Sequence, residues 1–184
     1  MARWEGNTRG RLERAALDLF REQGYDGTTV AQIAQRANLT ERSFYRWFAD
    51  KREVLFGDDD LEACYLPVIQ AAPDGLAALP TLLTAFASTP QVLRPRDFLI
   101  ERAAVIAASP ALRERELIKM VTLAEKLVAA LVRRGHDEQT AQLAADVGLA
   151  VLRSATRRWI LGDDSDFAVL LATARQDLLR VAVM

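Results

Sequence analysis

TTVAQIAQRANLTERSFYRWFADK, residues 28–51, decides the fold of this chain because it contains two short helices separated by a tight turn. Thr29 and Gln32 have the spacing of a capping box, in which each side chain bonds the other residue's backbone amide, so a helix is predicted to begin after Thr29. Asn38 follows that helix, and asparagine tolerates the left-handed conformation that a tight exit requires. Thr40 is a favourable N-cap for the second helix.

The second helix has an apolar inner face and a basic, aromatic outer face. Phe44 and Phe48 are spaced to lie on the inner face. A basic and aromatic helix surface suits the major groove of DNA. Base-edge contacts are predicted for the outward-facing Arg42, Ser43, Arg46 and Trp47. Phosphate contacts are predicted for residues that lie at helix starts or flank the inner face, namely Thr29, Thr40, Tyr45 and Lys51.

These residues resemble the TetR family of one-component transcriptional regulators, whose N-terminal domain carries this run followed by aromatic-x-x-Lys. The resemblance extends upstream through RLERAALDLFREQG, residues 11–24, and covers roughly the first third of the chain. It implies an N-terminal three-helix helix-turn-helix DNA-binding domain and a C-terminal helical ligand-binding and dimerisation domain. Two positions depart from the family pattern: Asn38 replaces a frequent turn glycine, and Glu41 replaces the usual small or basic residue.

The charge distribution supports a division into a DNA-binding domain over residues 1–56 and a ligand-binding and dimerisation domain over residues 57–184. The chain has 184 residues, of which 51% are hydrophobic, enough for a sizeable core. Residues 1–56 contain ten Lys and Arg against eight Asp and Glu, a net charge of +2, whereas residues 57–184 have a net charge of −3. Positive charge is thus concentrated in the part that is predicted to bind DNA.

The hydrophobic pattern predicts an all-α fold with about nine helices, because no segment alternates with period two over the length of a strand. Residues 75–88 are predicted to form one helix or a broken pair, and Arg96–Ala108 another. The predicted helix boundaries are a cap at Asp50 with Glu53, a start at Ser109 and Pro110, a stop at Gly135, a cap at Asp137, a stop at Gly162, and a last start at Asp164 or Ser165.

Gly57, Asp58, Asp59 and Asp60 allow two interpretations. They form either a bend before a fresh helix at Leu61 or the solvated face of one long linking helix. The bend is favoured, because glycine followed by aspartate makes a poor helix interior. A calcium loop would need ligands at alternating positions and a distal Glu, which are absent from the sequence.

The last two predicted helices carry apolar stripes that could pack inside the chain or against a second copy. Two-fold pairing of DNA-binding heads is how such proteins reach two half-sites. The TetR resemblance implies a four-helix interface from these two segments and hence a homodimer. The predicted interface residues are Val151, Ala155, Trp159, Phe167, Leu171, Ala174 and Leu178.

The helices between residues 61 and 159 contain enough apolar side chains to line a ligand cavity, although the same side chains could fill a solid core. The predicted lining residues are Phe86, Phe98, Ile106, Met120, Leu123 and Leu127. Arg102 lies one turn from Phe98 and Ile106, where it could form a structural ion pair or bind a ligand carboxylate or phosphate. Residues 94–116 resemble a TetR subgroup that is associated with acyl-type or other lipid-like ligands, so a small apolar or lipid-like effector is predicted.

The sequence gives little support for catalysis, a cofactor or a metal. His136 is the only histidine, and a lone histidine beside a helix stop is typical of a solvated side chain. The chain lacks a Gly-x-Ser-x-Gly motif and a glycine-rich phosphate loop. We therefore predict that the protein is not an enzyme; a DNA-binding adaptor controlled by a protein partner is the alternative to a ligand-controlled regulator.

The sequence also indicates a cytoplasmic protein without membrane association. A single cysteine, Cys64, rules out an intrachain disulfide and suits a reducing compartment. Residues 75–93 lack charge, but Pro80 and Pro90 interrupt them, so a buried helix is favoured over a membrane span. The resulting hypothesis is a homodimeric TetR-type repressor that binds a palindromic operator and is released by an apolar ligand.

Overall fold

The computed structural model describes residues 8–56, 61–162 and 165–182. Within these ranges the chain forms nine α-helices, two 3-10 helices and no strand, which confirms the predicted all-α fold. The α-helices are α1 (Thr8–Gln23), α2 (Val30–Arg36), α3 (Glu41–Trp47), α4 (Leu61–Ala71), α5 (Ala78–Phe86), α6 (Arg96–Ala108), α7 (Pro110–Arg133), α8 (Glu138–Ile160) and α9 (Phe167–Ala182). The 3-10 helices are Arg52–Leu55 and Thr89–Gln91.

The described residues form two compact units. The first unit contains residues 8–56, which were predicted to bind DNA, together with residues 95–118. The second unit contains the remaining residues from 61 to 94 and from 119 onward. Helix α6 and the first turns of α7 therefore belong to the same compact unit as the DNA-binding helices.

In the first unit, α1 provides the surface on which the other helices pack. Leu12, Ala16 and Phe20 recur every four residues on α1 and are at most 4% exposed. Helix α1 contacts α2, α6 and the 3-10 helix Arg52–Leu55, while α2 contacts α3. Full burial of a side chain such as Leu12 contributes roughly 1.5–3 kcal/mol, so burial of this amphipathic stripe stabilises the first unit.

In the second unit, α8 packs against α9 and α5, and α5 packs against α4. Gly148 lies where α8 meets α5: a Cβ atom at this position would be 3.2 Å from side-chain atoms of both Leu82 and Phe86. The absence of a side chain therefore allows the two helices to approach closely. Tyr65 is fully buried on α4, and its hydroxyl forms a 2.7 Å hydrogen bond with Thr89 Oγ1.

Several predicted helix boundaries are confirmed by side-chain caps and glycine stops. Asp137 Oδ1 accepts a 2.9 Å hydrogen bond from the amide of Thr140 at the start of α8. Ser109 Oγ accepts one of 3.4 Å from the amide of Leu112 at the start of α7. Gly135 and Gly162 adopt φ angles of +93° and +98°, as expected for residues that end α7 and α8.

Two predicted boundaries are corrected. Helix α9 begins at Phe167, and Asp166 Oδ1, not Ser165, accepts the amide of Ala168 at 2.8 Å. Asp50 does cap the next segment, since its carboxylate accepts from the amides of Arg52 and Glu53, but that segment is a single 3-10 turn and not an α-helix.

Residues 75–88 contain one helix, α5, and not a broken pair. The interpretations of residues 57–60 and of Asp164 lie outside the described residues.

Candidate nucleic-acid interface

The start of α2 has the predicted capping box. The amide of Gln32 donates to Thr29 Oγ1 at 3.2 Å, and the amide of Thr29 donates to Gln32 Oε1 at 2.8 Å. Ile33 and Ala34 are buried, at 0% and 1% exposure, and face α1 and α3. The hydrogen bonds fix where α2 begins, and the buried face fixes its rotation about its own axis.

The turn between α2 and α3 has the predicted left-handed residue. Asn38 has a φ angle of 53°, which makes it the one non-glycine residue with positive φ in the described ranges. Arg11 on α1 donates from Nη2 to the carbonyl oxygen of Ala37 and, at 3.3 Å, to that of Asn38. The guanidinium thus satisfies carbonyl groups that the end of α2 leaves unpaired and attaches the turn to α1.

Helix α3 is held by two buried phenylalanines and is capped as predicted. The amide of Ser43 donates to Thr40 Oγ1 at 3.2 Å. Phe44 and Phe48 are 0% and 2% exposed, and their ring centroids are 5.3 Å apart. Because this apolar face is rigidly packed, the opposite face of α3 has a fixed orientation.

The outer face of α3 is basic and aromatic. Arg42 and Arg46 are exposed, and Tyr45 and Trp47 are 56% and 39% exposed. Arginine and aromatic side chains together can contact base edges and phosphates. Glu41 at the start of the helix is exposed as well. The predicted base-reading side chains are therefore all accessible or half-accessible, and whether they contact bases stays a prediction.

Lys51 has partners inside the chain. Its Nζ atom donates to the carbonyl oxygens of Tyr25 and Thr28, each at 2.7 Å. It also lies 4.0 Å from the ring centroid of Tyr25. Desolvation lowers the pKa of the Lys51 ammonium. The predicted phosphate contact of Lys51 would have to compete with these interactions.

Sequence reasoning missed a set of contacts between α1 and α6. Glu101 Oε2 accepts from Arg14 Nη1 and from Arg21 Nη1, each at 2.9 Å. The Arg14 guanidinium lies 5.3 Å from the ring centroid of Phe98. These partners are 80 and 87 residues apart along the chain, so no local spacing signals them.

The predicted ligand-binding residues are divided between the two units. Phe98, Arg102 and Ile106 lie on α6 in the first unit, where Phe98 and Ile106 are at most 9% exposed. In the second unit, Met120 is half-buried, whereas Phe86, Leu123 and Leu127 are buried in its core. A groove of about 450 Å³ lies beside α3, with Trp47, Asp50 and Arg115 among its lining residues; none of the predicted ligand-binding residues lines it.

The predicted dimer-interface residues are largely core residues of the second unit. Trp159 and Leu178 are half-buried. The other five are at most 5% exposed within a single chain, namely Val151, Ala155, Phe167, Leu171 and Ala174. A side chain that is already covered by its own chain has little surface left for a second copy. These five side chains pack inside one chain, whereas Trp159 and Leu178 keep accessible surface. Whether the predicted residues meet a second copy stays a prediction.

The remaining polar residues of the described ranges give no second site. Among the described residues, no group of three or more His, Cys, Asp and Glu side chains could hold a metal ion. Cys64 is half-buried, with its Sγ atom 3.0 Å from Ser88 Oγ. None of the helices in the described ranges has the length and apolar composition needed to cross a membrane.

Two family models match this chain. The model described as bacterial regulatory proteins, tetR family, matches residues 13–56, and the model described as MftR C-terminal domain matches residues 76–182. The HTH-type transcriptional regulator TcmR of Streptomyces glaucescens is 30% identical over 180 residues, which cover 89% of this chain and 77% of TcmR. HbdR of Aromatoleum sp. (strain CIB), also an HTH-type transcriptional regulator, is 44% identical over 48 residues, 26% of this chain and 21% of HbdR.

Solved structures of transcriptional regulators share the fold. A regulator of Aquifex aeolicus VF5 has a TM-score of 0.53 at 20% identity and covers 95% of this chain and 99% of its own. Thermus thermophilus FadR, a repressor solved in complex with lauroyl-CoA, has a TM-score of 0.54 at 22% identity and covers 93% of each chain.

Proposed function

The chain belongs to the TetR family of bacterial transcriptional regulators, and from this premise we propose that it is a repressor, which binds a palindromic operator as a homodimer and is released by an apolar small molecule. The family consists of DNA-binding regulators and not of enzymes. Operator binding would place its action in the cytoplasm. The observation that carries the proposal is the accessible basic and aromatic face of α3, which is held in place by buried Phe44 and Phe48.

On DNA, we assign base reading to the outer face of α3. Arg42 and Arg46 are one helical turn apart, so both can reach successive base edges in a major groove. Tyr45 flanks them, and Thr29 and Thr40 lie at the starts of α2 and α3, where phosphate contacts would fix the orientation of the head on the duplex. One such head reads few bases, which is why a second copy is needed.

We place the dimer contact on the exposed faces of α8 and α9. Leu143 on α8 is 65% exposed, and Val169 and Leu179 on α9 are each 54% exposed. Val147 and Ala150 continue the α8 face at helical spacing and are half-buried. Apolar side chains left exposed on both helices support pairing with a second copy, and two heads about 34 Å apart would reach successive major grooves.

We propose an apolar or acyl-type effector, because Thermus thermophilus FadR is a family repressor in complex with lauroyl-CoA. The residues that we assign to the effector are the predicted ones of the second unit, Phe86, Met120, Leu123 and Leu127. Release from DNA requires only that the effector prefer a dimer whose heads are wrongly spaced for the operator. The extent of release is limited by that difference in affinity.

An electrophoretic mobility shift with duplex DNA from the region flanking the protein's own gene tests DNA binding. We expect a saturable shift that survives excess unrelated DNA, and a larger complex on a full palindrome than on one half-site. Adding lauroyl-CoA tests release, with dodecanoate and free coenzyme A as separate probes. Specific binding that none of the three probes reduces would favour a protein-controlled adaptor, and no specific binding would contradict the regulator itself.

A further inference from the structure

We propose that Lys51 is a positioning residue, which fixes the loop between α1 and α2 and through it the Thr29 end of α2, and that it does not bind an operator phosphate. The inference rests on the proposed DNA binding. It assigns to Lys51 a different role from the phosphate contact that the sequence predicts.

The ammonium group of Lys51 already has partners inside the chain. A lysine ammonium has three N–H donors and no acceptor. Two of them are donated to the carbonyl oxygens of Tyr25 and Thr28, each at 2.7 Å, within the usual range for a charged donor. The ring of Tyr25 also lies beside the group, with its centroid 4.0 Å from Nζ. A phosphate oxygen would have to compete with these three partners for the ammonium group.

The ammonium group of Lys51 and the ring of Tyr25 are partly shielded from water. Desolvation lowers the pKa of Lys51, and burial raises the pKa of Tyr25. A lowered pKa for a lysine and a raised pKa for a tyrosine are both expected of groups that are partly removed from water. Arg52, the next residue along the chain, differs from Lys51 because its side chain is 48% exposed and pairs with Asp50 at 3.1 Å.

The loop between α1 and α2 is bonded in turn to the start of α2. Thr28 Oγ1 donates to the carbonyl oxygen of Gly24 at 2.8 Å. Gln23 Nε2 donates to the carbonyl oxygen of Gly27 and to Gln32 Oε1, each at 3.1 Å. The same Gln32 oxygen accepts the amide of Thr29 in the capping box. The loop that Lys51 holds is therefore connected by hydrogen bonds to the first turn of α2.

The test compares Lys51→Met, Lys51→Arg and the matched control Arg52→Met, which removes the same charge one residue away. Melting curves come first, and operator affinity is then measured below the melting range at several salt concentrations. We expect both Lys51 variants to bind about tenfold more weakly than the wild type, because one lost charge-assisted anchor corresponds to about this factor. The slope of log affinity against log salt should stay unchanged.

The phosphate role predicts the opposite pattern. Lys51→Met would then flatten the salt slope by about 0.9, the share of one phosphate, and Lys51→Arg would keep both slope and affinity because arginine binds phosphate well. Either result overturns the inference. So does a Lys51→Met protein that melts at a lower temperature but binds DNA like the wild type, since Lys51 would then stabilise the fold without positioning α2.

The affinity of Lys51→Arg and the DNA binding of the wild-type protein settle two further cases. If Lys51→Met is unfolded at the assay temperature, Lys51→Arg decides alone, because retained affinity indicates phosphate binding and lost affinity at unchanged slope indicates positioning. A wild-type protein that shifts no duplex even at low salt contradicts the proposed function before any variant is compared. If the wild-type protein binds the operator and both Lys51→Met and Lys51→Arg bind it equally well, only the role of Lys51 is contradicted.

Discussion

Arg102 Nε donates a 2.7 Å hydrogen bond to the carbonyl oxygen of Leu55, a residue 47 positions earlier in the chain. The guanidinium also lies 4.9 Å from the ring centroid of Phe56, and Nη1 is 3.7 Å from Glu116 Oε1. With 14% of its side chain exposed, Arg102 joins α6 to the end of the DNA-binding segment within the first unit. Of the two interpretations that the sequence allowed, this geometry favours the structural one.

Replacing Arg102 with alanine should therefore destabilise the first unit. We expect Arg102→Ala to lower the free energy of unfolding by roughly 1.5–3 kcal/mol, since it removes a hydrogen bond from a charged donor and uncovers Phe56. Urea denaturation followed by circular dichroism measures the change. Arg113→Ala is the control, because Arg113 is exposed on α7, and it should change the stability by no more than about 0.5 kcal/mol.

An effector titration of the same Arg102→Ala protein tests the other interpretation. If Arg102 binds an anionic group of the effector, the concentration needed for release should rise, by about tenfold for each 1.4 kcal/mol of binding lost. Unchanged stability together with such a rise would assign Arg102 to the ligand site and contradict the structural role.

Arg42 and Arg46 should govern operator choice. Arg42→Ala and Arg46→Ala should each weaken operator binding by about 1–3 kcal/mol and relax the preference at one base pair, if each reads a guanine. Binding is compared at matched salt on the operator and on duplexes with single base-pair changes. Arg133→Ala, an exposed arginine near the end of α7, is the charge-matched control. Unaltered affinity and selectivity in both α3 variants would show that α3 is not the recognition helix.

The sequence predicted the local geometry of the head because its determinants are close together in the chain. The caps at Thr29 and Thr40 each depend on a partner three residues away, and Asn38 needs only its own backbone preference. The backbone contacts of Lys51 and Arg102 could not be predicted in the same way, because the carbonyl groups that they bond are 23 to 47 residues distant and no periodicity relates them.

The α8 and α9 stripes could not be assigned from the sequence for a different reason. A stripe that packs inside one chain and a stripe that packs against a second copy have the same helical spacing, so periodicity alone cannot separate them. Leu171 and Ala174 are covered by their own chain, whereas Val169 on the opposite face of α9 is exposed. Burial in the folded chain supplies the information that the pattern lacks.

Asn38 should tolerate glycine better than alanine. Its φ angle of 53° costs a residue with a Cβ atom roughly 1–2 kcal/mol unless, as in asparagine, a short polar side chain compensates. We expect Asn38→Gly to stay within about 0.5 kcal/mol of the wild type, while Asn38→Ala loses about 1 kcal/mol in urea denaturation. Gln35→Ala, at an exposed position of α2, controls for the introduction of alanine. Equal stability of the two Asn38 variants would be incompatible with a left-handed turn.

Charged substitutions on α9 should separate dimer contact from core packing. Val169→Glu places a carboxylate on the exposed face and should yield a folded monomer, because pairing would bury that charge without a partner. Ala174→Glu places the same charge in the core of one chain, where Ala174 is 4% exposed, and should unfold the second unit at a cost of several kcal/mol.

Light scattering and circular dichroism on both proteins distinguish these effects, with Ala129→Glu on the exposed side of α7 as the control for added charge. We expect the Val169→Glu protein to keep its helical signal, to halve its mass and to bind a half-site about as well as a full palindrome. The Ala174→Glu protein should lose helical signal. A change in its mass would then reflect unfolding and not the loss of a dimer contact. A Val169→Glu protein that stays dimeric and still prefers the full palindrome would exclude the exposed face of α9 as the interface, since an unpaired carboxylate could not be buried there at so little cost.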